Sequence, residues 1–554
     1  MNKKLLSHLL LIFLFSLIAG FNLFKPGYFT MHDDLQVMRL YEMDRCLQDG
    51  QIPCRWSPDM DAGYGQPMFN FYSAFPYYLG GTVKLLGFSF LDSVKILMFL
   101  CILASGIFSY LFFLEILAPL AALVGAVAYI FIPYRALDIF VRGALSESWA
   151  LALLPAVLAT TVSTVKDPKP YKTVLLALSV GALFSTHNIT TMTSAPFIIL
   201  LALFYLFNFG ASLKKIFHLV VGAVLGFGLS AFFLLPVLFE KDLVHTEYLI
   251  SDYFNFQNHF TSIKLLFLDL HWGFGSESIG PGGMISFFIG FIPLIALVIF
   301  PVVIFFSGKI KKKGEYLLYY ALALFALFMA HPRSFYIWNA IPVLQYVQFP
   351  WRFLGLFALF SSLTMAVIAG ELKKVRWLPA ILIILLIALN LNYFRFGRYL
   401  PDETDQSKLS GASFALQQRS ALLDYLPKSA GTIPEEIAPA GPEVLEGRVS
   451  INYYDSRSGY FSSEFDVYSD TAKIRFPVIY FPGWELHQNR SPDQMSFDYD
   501  NDLGLITVEL SLDHQLVQAF FENTPIRTLG NALTFASSLI ILLWLAITYE
   551  KNKH

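Results

Sequence analysis

Two adjacent carboxylates begin the first long polar stretch of the chain, in the run Thr30-Met31-His32-Asp33-Asp34. A carboxylate at such a place can act as the general base that takes a proton from an acceptor hydroxyl, or it can bind a divalent cation. The run also fits a helix start, with Thr30 as the cap and Asp33 at the third position, where the helix dipole favours negative charge. These interpretations are compatible, because a base at a helix start is rigidly held.

Two arginines stand beside further polar residues later in the chain. Arg142 lies five residues before Glu147, and Arg352 follows Trp351 in the run 348–353. A guanidinium group can hold a phosphate through its forked donors. Each arginine also has a structural interpretation, Arg142 as the ion-pair partner of Glu147 and Arg352 as an anchor for the helix that it precedes. The sequence leaves both interpretations open.

The chain has three cysteines, too few for a disulfide scaffold or a zinc module. Cys46 and Cys54 lie eight residues apart in one polar stretch and could form a disulfide in an oxidising compartment. Cys101 lies in an apolar run and is expected to behave as a small apolar residue.

The elements that position these residues are predicted to be membrane-spanning helices. Hydrophobic residues make up 56% of the 554 residues and charged residues 14%, against about 25% charged in ordinary globular domains. Lys and Arg (39) nearly balance Asp and Glu (41), which argues against a strongly basic nucleic-acid binder. Crossing a bilayer takes roughly 17 to 25 apolar residues. We predict twelve spans: Leu5–Phe24, Ser93–Leu114, Ala118–Ile132, Ser148–Val165, Thr173–Thr186, Thr193–Phe209, Ile216–Pro236, Ile285–Ser307, Tyr316–Ala330, Phe353–Gly370, Trp377–Tyr393 and Asn531–Tyr549.

Lysine and arginine residues recur in alternate loops between these spans, which predicts that those loops and both termini are cytoplasmic. The loop near Glu115 alone lacks a positive charge. The first apolar run could instead be a signal peptide, since Lys3 and Lys4 precede it, but it continues to Phe24, longer than a usual signal core. The predicted location is the cytoplasmic (inner) membrane, with the active site on the extracytoplasmic face.

Three domains follow from this reading. Residues 1–393 form a transmembrane domain with outer loops 25–92, 133–147, 237–284 and 331–352. Residues 394–528 form an extracytoplasmic linker and a β-rich domain, and residues 529–554 form the last helix and a cytoplasmic tail. Short β-branched or aromatic segments separated by turn residues predict a small β-sandwich. They are Arg448–Tyr454, Ser462–Tyr468, Ala472–Tyr480, Leu505–Leu512 and Gln515–Phe521; the linker Leu400–Pro442 is predicted to hold one helix, Ser413–Leu426.

Several runs of the sequence are typical of one group of membrane proteins. They are His32-Asp33-Asp34, residues 55–60, 63–67 and 69–72, Arg142-Gly143-Ala144 with Glu147, residues 186–190, 348–352 and 481–484. Together these runs resemble the GT-C superfamily of polytopic membrane glycosyltransferases, and within it the chain is similar to the bacterial YfhO-type membrane proteins, some of which are labelled "6-pyruvoyl-tetrahydropterin synthase-related". A pterin synthase is a small soluble metalloenzyme, so we do not infer pterin chemistry from that label.

The resemblance implies transfer of a sugar from a polyprenyl-phosphate-linked donor to an envelope acceptor, a glycan, lipid or protein, with inversion at the anomeric carbon. Asp33 or Asp34 would be the catalytic base, and which of them acts stays open. Some relatives bind a divalent cation such as Mg²⁺ or Mn²⁺, and no separated set of carboxylates decides that question in this sequence. Donor-phosphate or cavity binding would fall to Arg142, Glu147, His187 and Arg352.

Two other functions remain open at the level of sequence. Twelve spans with both termini inside is also a common plan for a lipid or solute transporter or flippase. The absence of charge from the middle of the predicted spans argues against an ion-coupled transporter, because such proteins keep ionisable residues there. A catalytically silent envelope-assembly protein with the same fold is the second alternative.

Overall fold

The computed structural model describes residues 3–276, 285–306, 310, 312–372, 374–420 and 425–551. Parts of four predicted features lie outside these ranges: the end of the loop 237–284, the last residue of the span Ile285–Ser307, four residues of the helix Ser413–Leu426, and the end of the C-terminal tail.

Most of the described chain is helical, in agreement with the predicted fold class. The helices are α1 Lys3–Gly20, α2 Gln36–Gln48, α3 Met68–Phe71, α4 Phe75–Leu85, α5 Phe90–Leu114, α6 Pro119–Phe131, α7 Pro133–Ala136, α8 Leu145–Lys166, α9 Pro170–Phe184, α10 Asn188–Asn208, α11 Leu213–Leu229, α12 Ala231–Phe239, α13 Ile263–Phe267, α14 Phe291–Phe306, α15 Lys313–Ala330, α16 Phe335–Ala340, α17 Phe353–Glu371, α18 Leu378–Asn390, α19 Asp405–Lys408, α20 Gly411–Arg419 and α21 Pro525–Lys551.

Each of the twelve predicted spans overlaps at least one apolar helix. Among the described residues, seven helices are long and apolar enough to cross a membrane, and two bent pairs raise the number to nine. One pair is α11 and α12, which meet at 76°, and the other joins α6 to Pro133–Val141 at 45°. Helices α9 and α14 and the segment Leu378–Tyr393 are apolar but shorter. The segment Ile285–Gly290, predicted to begin a span, is not helical, and α14 begins after it.

The core of the helical bundle surrounds α8 and α17. Nearly every residue of these two helices is buried, whereas α1 and α21 expose most of their apolar side chains. Helix α8 packs against α5, α9 and α10, while α17 packs against α6, α14 and α15. Both central helices begin at the same end of the bundle as the cavity described below, because Glu147 and Arg352 at their starts are in contact. The most rigidly packed helices therefore carry two of the predicted site residues.

The β-rich domain was predicted as a sandwich, and its strands form one five-stranded antiparallel sheet. Four of the predicted segments are halves of two long strands. The predicted segments leave gaps at 469–471 and 513–514, but each strand continues through its gap, with a register shift between Val467 and Thr471 opposite Asp513. The strands are β1 Tyr28–Phe29, β2 Tyr399–Leu400, β3 Glu443–Glu446, β4 Val449–Arg457, β5 Tyr460–Ile479, β6 Trp484–Gln488 and β7 Leu505–Phe521. Strands β1 and β2 pair separately, β5 and β7 are central in the sheet, and β3 and β4 both pair with β5.

The polar stretches between helices pack together at one end of the bundle. We call residues 25–89, 240–276, 331–349, 394–420 and 425–524 the loop layer. Its parts share backbone hydrogen bonds: the Ala438 N–H donates to the Ala62 carbonyl at 2.8 Å, and the His245 N–H donates to the Leu426 carbonyl at 2.9 Å. The sheet domain is thus fastened to the first long loop.

The last helix is fixed to the loop layer by buried arginines. Arg527, in the first turn of α21, is fully buried and donates to Glu240 at 2.9 Å. Arg55 of the first loop donates to Asn531 of α21 and to Asn70, both at 2.8 Å. Because an unpaired buried charge is costly, these bonds specify where α21 docks.

Candidate active site

Asp33 lies in a bend of the chain that is hydrogen-bonded to the residues around Arg142. The His32 N–H donates to the Val141 carbonyl at 3.0 Å, and the Asp33 N–H donates to the Arg142 carbonyl at 2.9 Å. Helix α2 begins only at Gln36, and its cap position is Leu35 without a side-chain bond. The predicted helix start with Thr30 as cap is therefore wrong, because the N–H groups of this segment are bonded to another part of the chain.

Gly143 allows this close approach. Its backbone has a φ of 65°, and a Cβ built on it would lie 2.1 Å from Met31 Sδ. The Gly143 carbonyl also accepts a hydrogen bond from Gln36 Nε2 at 2.9 Å. A residue with a side chain would push away the segment that carries Asp33.

Both carboxylate oxygens of Asp33 are hydrogen-bonded from helix α2. Arg39 Nη1 donates to Oδ1 and to Oδ2, each at 2.8 Å, and Gln36 Nε2 donates to Oδ2 at 2.8 Å. Arg39 is nearly buried, with its guanidinium 4.2 Å from the centre of the Tyr72 ring, whereas a third of the Asp33 side chain is exposed. The result is a carboxylate of fixed orientation and balanced charge that still faces the cavity.

Asp34 is directed elsewhere. It accepts from Lys408 Nζ at 2.6 Å, at the end of α19, and does not line the cavity that contains Asp33. Burial raises the pKa of Asp34, and the nearby Lys408 ammonium partly offsets that effect. The adjacent aspartates thus differ in surroundings: Asp33 faces the cavity and Asp34 ties the first loop to residues 405–408.

Glu147 stands at the centre of a second cluster. Its Oε2 accepts from Arg142 Nη1 at 2.9 Å and from Arg352 Nε at 3.2 Å, and its Oε1 accepts from the Tyr134 hydroxyl at 2.6 Å. Arg142 also donates to Asp138, which is fully buried. The predicted ion pair between Arg142 and Glu147 is therefore present. The Glu147 carboxylate also binds Arg352, which lies 205 residues later in the chain.

The two arginines are held differently. The Arg142 guanidinium lies between two carboxylates and 4.6 Å from the centre of the buried Trp351 ring. Arg352 donates through Nη1 to the Val347 carbonyl and to Gln348 Oε1, at 2.8 and 2.9 Å, and it is the more exposed of the two. No hydrogen bond of Arg352 Nη2 is found within the described ranges, so this group can donate to a bound molecule.

His187 caps helix α10 at the wall of the same cavity. Its Nδ1 accepts from the Thr190 N–H at 3.3 Å, and the Thr190 hydroxyl lies 2.8 Å from the same nitrogen. Burial lowers the pKa of His187 to about 3, so the ring is neutral at physiological pH. Because Nδ1 accepts from a backbone N–H, the ring proton is on Nε2, which makes His187 a hydrogen-bond donor there.

These residues line one cavity of about 890 Å³. Its charged side chains are Arg39, Arg142, Lys241 and Arg352 on the positive side and Asp33 and Glu147 on the negative side. Asp138 does not line the cavity but is bonded to Arg142, so the positive side chains of the site exceed its carboxyl groups by one. The remaining wall is largely apolar and includes residues of α10 and α12, two helices counted among the membrane-crossing candidates. Apolar lining residues of this wall are Ile189, Met192, Val237, Leu238 and Val343.

The donor set around Asp33 does not fit a divalent cation. Among residues 3–276, 285–306, 310, 312–372, 374–420 and 425–551, no three His, Cys, Asp or Glu side chains are grouped to hold a metal. Mg²⁺ and Mn²⁺ prefer several oxygen ligands. Here the neighbours of the Asp33 oxygens are N–H donors from Arg39 and Gln36.

Of the remaining predicted residues, Cys46 and Cys54 are joined as a disulfide in the first loop, and Cys101 is free and buried. Sequence reasoning missed several residues of the site. The sequence contains a signal for Gln36 and Arg39, because they follow Asp33 at intervals of three residues and so share one face where a helix begins. The missed residues are Gln36, Arg39, Tyr134, Asp138 and Gln348.

A family described as "6-pyruvoyl-tetrahydropterin synthase related domain; membrane protein" matches residues 69–396, more than half of the chain. The chain belongs to this membrane protein family. The predicted family and membrane character are thereby confirmed. The matched region includes Arg142, Glu147, His187 and Arg352 and begins after Asp33.

Similar proteins cover parts of the chain. An uncharacterized protein of Lactococcus lactis subsp. cremoris (strain MG1363) is 24% identical over 240 residues, 41% of this chain and 39% of that protein. The arabinofuranosyltransferase AftD from Mycobacteria is similar in structure, with a TM-score of 0.45 and 15% identity over 71% of this chain and 26% of that chain. The apo Archaeoglobus fulgidus oligosaccharyltransferase has a TM-score of 0.41 and 13% identity, over 72% and 56% of the two chains.

Proposed function

We propose that this protein is a membrane glycosyltransferase that moves a sugar from a polyprenyl-phosphate donor to a hydroxyl of an envelope acceptor, at the outer face of the cytoplasmic membrane. The observation that carries the proposal is the single cavity that joins an oriented carboxylate, an excess of positive charge and an apolar wall. Each of these three features matches one part of the reaction.

The positive charge suits a lipid phosphate. The described lining has four cationic side chains against two carboxylates, and Arg352 offers a guanidinium edge to the cavity. Charge-assisted bonds from arginine to phosphate are short and strong, and they gain in strength as charge develops on a departing phosphate. Arg142 is held between Asp138 and Glu147, so it positions the cluster, and Arg352 is the arginine proposed to reach the phosphate.

The apolar wall suits a polyprenyl chain. Two lining residues, Leu238 at the end of α12 and Val343, are 54% and 51% exposed, so the cavity rim presents apolar surface. Exposed apolar groups on helices of this kind are expected to face lipid. A lipid tail could thus remain in the membrane while its phosphate reaches the arginines.

Asp33 is the proposed base. It would accept the proton of the acceptor hydroxyl as that oxygen attacks the anomeric carbon and the bond to the phosphate oxygen breaks, so polyprenyl phosphate leaves and the anomeric carbon inverts. His187, a neutral donor through Nε2, would bond a sugar hydroxyl or a phosphate oxygen. Asp34 has no role in this scheme, since it is paired with Lys408 outside the cavity.

The test is release of free polyprenyl phosphate by the purified protein in lipid nanodiscs, supplied with polyprenyl-phosphate sugars and an envelope extract as acceptor. Asp33→Asn and Asp34→Asn form a matched pair, because the change is identical and the positions are adjacent. We expect Asp33→Asn to lower turnover by about 10²–10⁴-fold, the usual contribution of a general base, and Asp34→Asn to retain it. Release that is equal in both variants would refute Asp33 as base.

A folded protein that releases no polyprenyl phosphate from any donor would favour the transporter or the silent assembly protein instead. The two are separable in sealed proteoliposomes, where a flippase would move a labelled polyprenyl-phosphate sugar from one leaflet to the other without cleaving it.

A further inference from the structure

The Asp33 carboxylate is surrounded on its buried side by fixed donors. Arg39 Nη1 bonds both oxygens at 2.8 Å, and Gln36 Nε2 bonds Oδ2 at 2.8 Å. The orientation of the Gln36 amide is determined by its other contacts. Its Nε2 also donates to the Gly143 carbonyl, and its Oε1 accepts from the Tyr77 hydroxyl at 2.6 Å. Turning the amide over would place an oxygen against two acceptors, so the donor must face Asp33.

The Arg39 side chain is also held in one position by its contacts. Its side chain is 5% exposed, its guanidinium lies on the Tyr72 ring, and its salt bridge within 4 Å is with Asp33. Burial disfavours the guanidinium charge, but Asp33 with Tyr72 and Tyr77 outweighs that effect and holds the pKa of Arg39 well above its usual range. The positive charge beside Asp33 is therefore permanent.

The second carboxylate of the cavity is not available to share a cation with Asp33. Both oxygens of Glu147 are engaged, Oε2 by Arg142 and Arg352 and Oε1 by Tyr134. A divalent cation near Asp33 would face the guanidinium of Arg39 at short range, a repulsion between like charges in a partly buried place.

We propose that Arg39 takes the place of a divalent cation: its guanidinium neutralises and aims the Asp33 carboxylate, so the reaction at this site requires neither Mg²⁺ nor Mn²⁺. The part of this inference that concerns catalysis rests on the proposed transfer reaction. The part that concerns metal binding at Asp33 does not depend on it. Arg39 is a positioning residue in this scheme, since it acts through Asp33.

The first experiment measures metal binding and needs no activity. The protein in nanodiscs is stripped with EDTA and titrated with Mn²⁺, with free Mn²⁺ followed by electron paramagnetic resonance. We expect no site of one Mn²⁺ per chain that Asp33→Asn removes. Such a site, present in the parent protein and lost in Asp33→Asn, would overturn the proposal.

The second experiment measures transfer. Release of polyprenyl phosphate by the parent protein should be unchanged by EDTA, and Arg39→Ala should lower it about tenfold to a hundredfold by misplacing the base. Arg39→Lys keeps the positive charge but has no planar group that can bond both oxygens of Asp33. Its activity should lie between that of the parent protein and that of Arg39→Ala. Added guanidinium ion should restore part of the activity of Arg39→Ala and none of Asp33→Asn.

Loss of parent activity in EDTA with recovery in Mg²⁺ or Mn²⁺ would overturn the inference, as would full activity of Arg39→Ala. If the parent protein releases nothing from any donor, the proposed function fails, and the Mn²⁺ titration still decides whether the site takes a metal.

Discussion

Gly143→Ala tests whether the contact between the Asp33 segment and the Arg142 turn positions the site. Two costs are expected. A side chain at the φ of 65° costs about 1–2 kcal/mol. The new Cβ would also lie 2.1 Å from Met31 Sδ and 2.6 Å from its Cγ, an overpacking that typically costs about 1–3 kcal/mol. Together they predict a loss of about 2–5 kcal/mol in the free energy of unfolding.

Gly50→Ala is the matched control. Gly50 has a φ of 78° and nothing within 4 Å of a built Cβ, so only the backbone cost applies there. Met31→Ala supplies the second control, because it removes Sδ and Cγ and leaves only the Met31 Cβ, at 2.9 Å from the new atom. In that background the effect of Gly143→Ala should fall, but it should stay above that of Gly50→Ala because the 2.9 Å contact with the Met31 Cβ remains.

The assays are thermal unfolding in detergent, followed by tryptophan fluorescence, and release of polyprenyl phosphate in nanodiscs. Gly143→Ala should lower turnover more than Gly50→Ala does, on the order of 10²-fold if Asp33 moves by about 1 Å. The reasoning is refuted if Gly143→Ala destabilises the protein no more than Gly50→Ala, or if its effect is the same with and without the Met31 side chain.

Three further predictions concern other groups. Arg352→Ala should raise the KM for the polyprenyl-phosphate donor more than that for the acceptor, and equal changes in both would return Arg352 to the role of helix anchor. Burial raises the pKa of Glu42 well above its usual value, so the folded protein keeps a proton there that the unfolded chain releases, and its stability falls as the pH rises above about 4.5. The stability gained by Glu42→Gln should therefore grow as the pH rises above about 4.5, and a constant difference would contradict this. Mass spectrometry of unreduced peptides should find Cys46 linked to Cys54, whereas free thiols at both positions in protein from its native envelope would contradict the link.

The sequence was sufficient for the fold class because membrane helices follow from local composition. An apolar run long enough to cross a bilayer is visible in one window of sequence, and each of the twelve predicted spans overlaps at least one apolar helix. The breaks were harder to predict. The 76° bend between α11 and α12 interrupts the predicted span Ile216–Pro236, whose apolar character is uniform across the bend. Composition indicates which segments prefer lipid, and packing decides where their axes turn.

In the β-rich domain, too, local sequence predicts the type of element and tertiary packing decides where it ends. β-Branched and aromatic residues predict its strands, but the segments Ser462–Tyr468 and Ala472–Tyr480 are parts of one strand. The strand continues there because its partner β7 supplies hydrogen bonds on both sides of the register shift. This strand pairs with a segment some forty residues later in the chain, and no local sequence pattern contains that information.

For the candidate site, the sequence by itself determined which residue types lie between the spans: the aspartate pair, Arg142 with Glu147, His187 and Arg352. Polar groups are rare in a chain of this composition, so each one is conspicuous. Only the tertiary structure distinguished between neighbours that look alike in sequence. Asp33 meets Arg39 and faces the cavity, whereas Asp34 meets Lys408, 374 residues away. The direction in which a side chain points depends on the hydrogen bonds of its backbone, and here those bonds come from residues 141 and 142, which only the folded chain brings beside it.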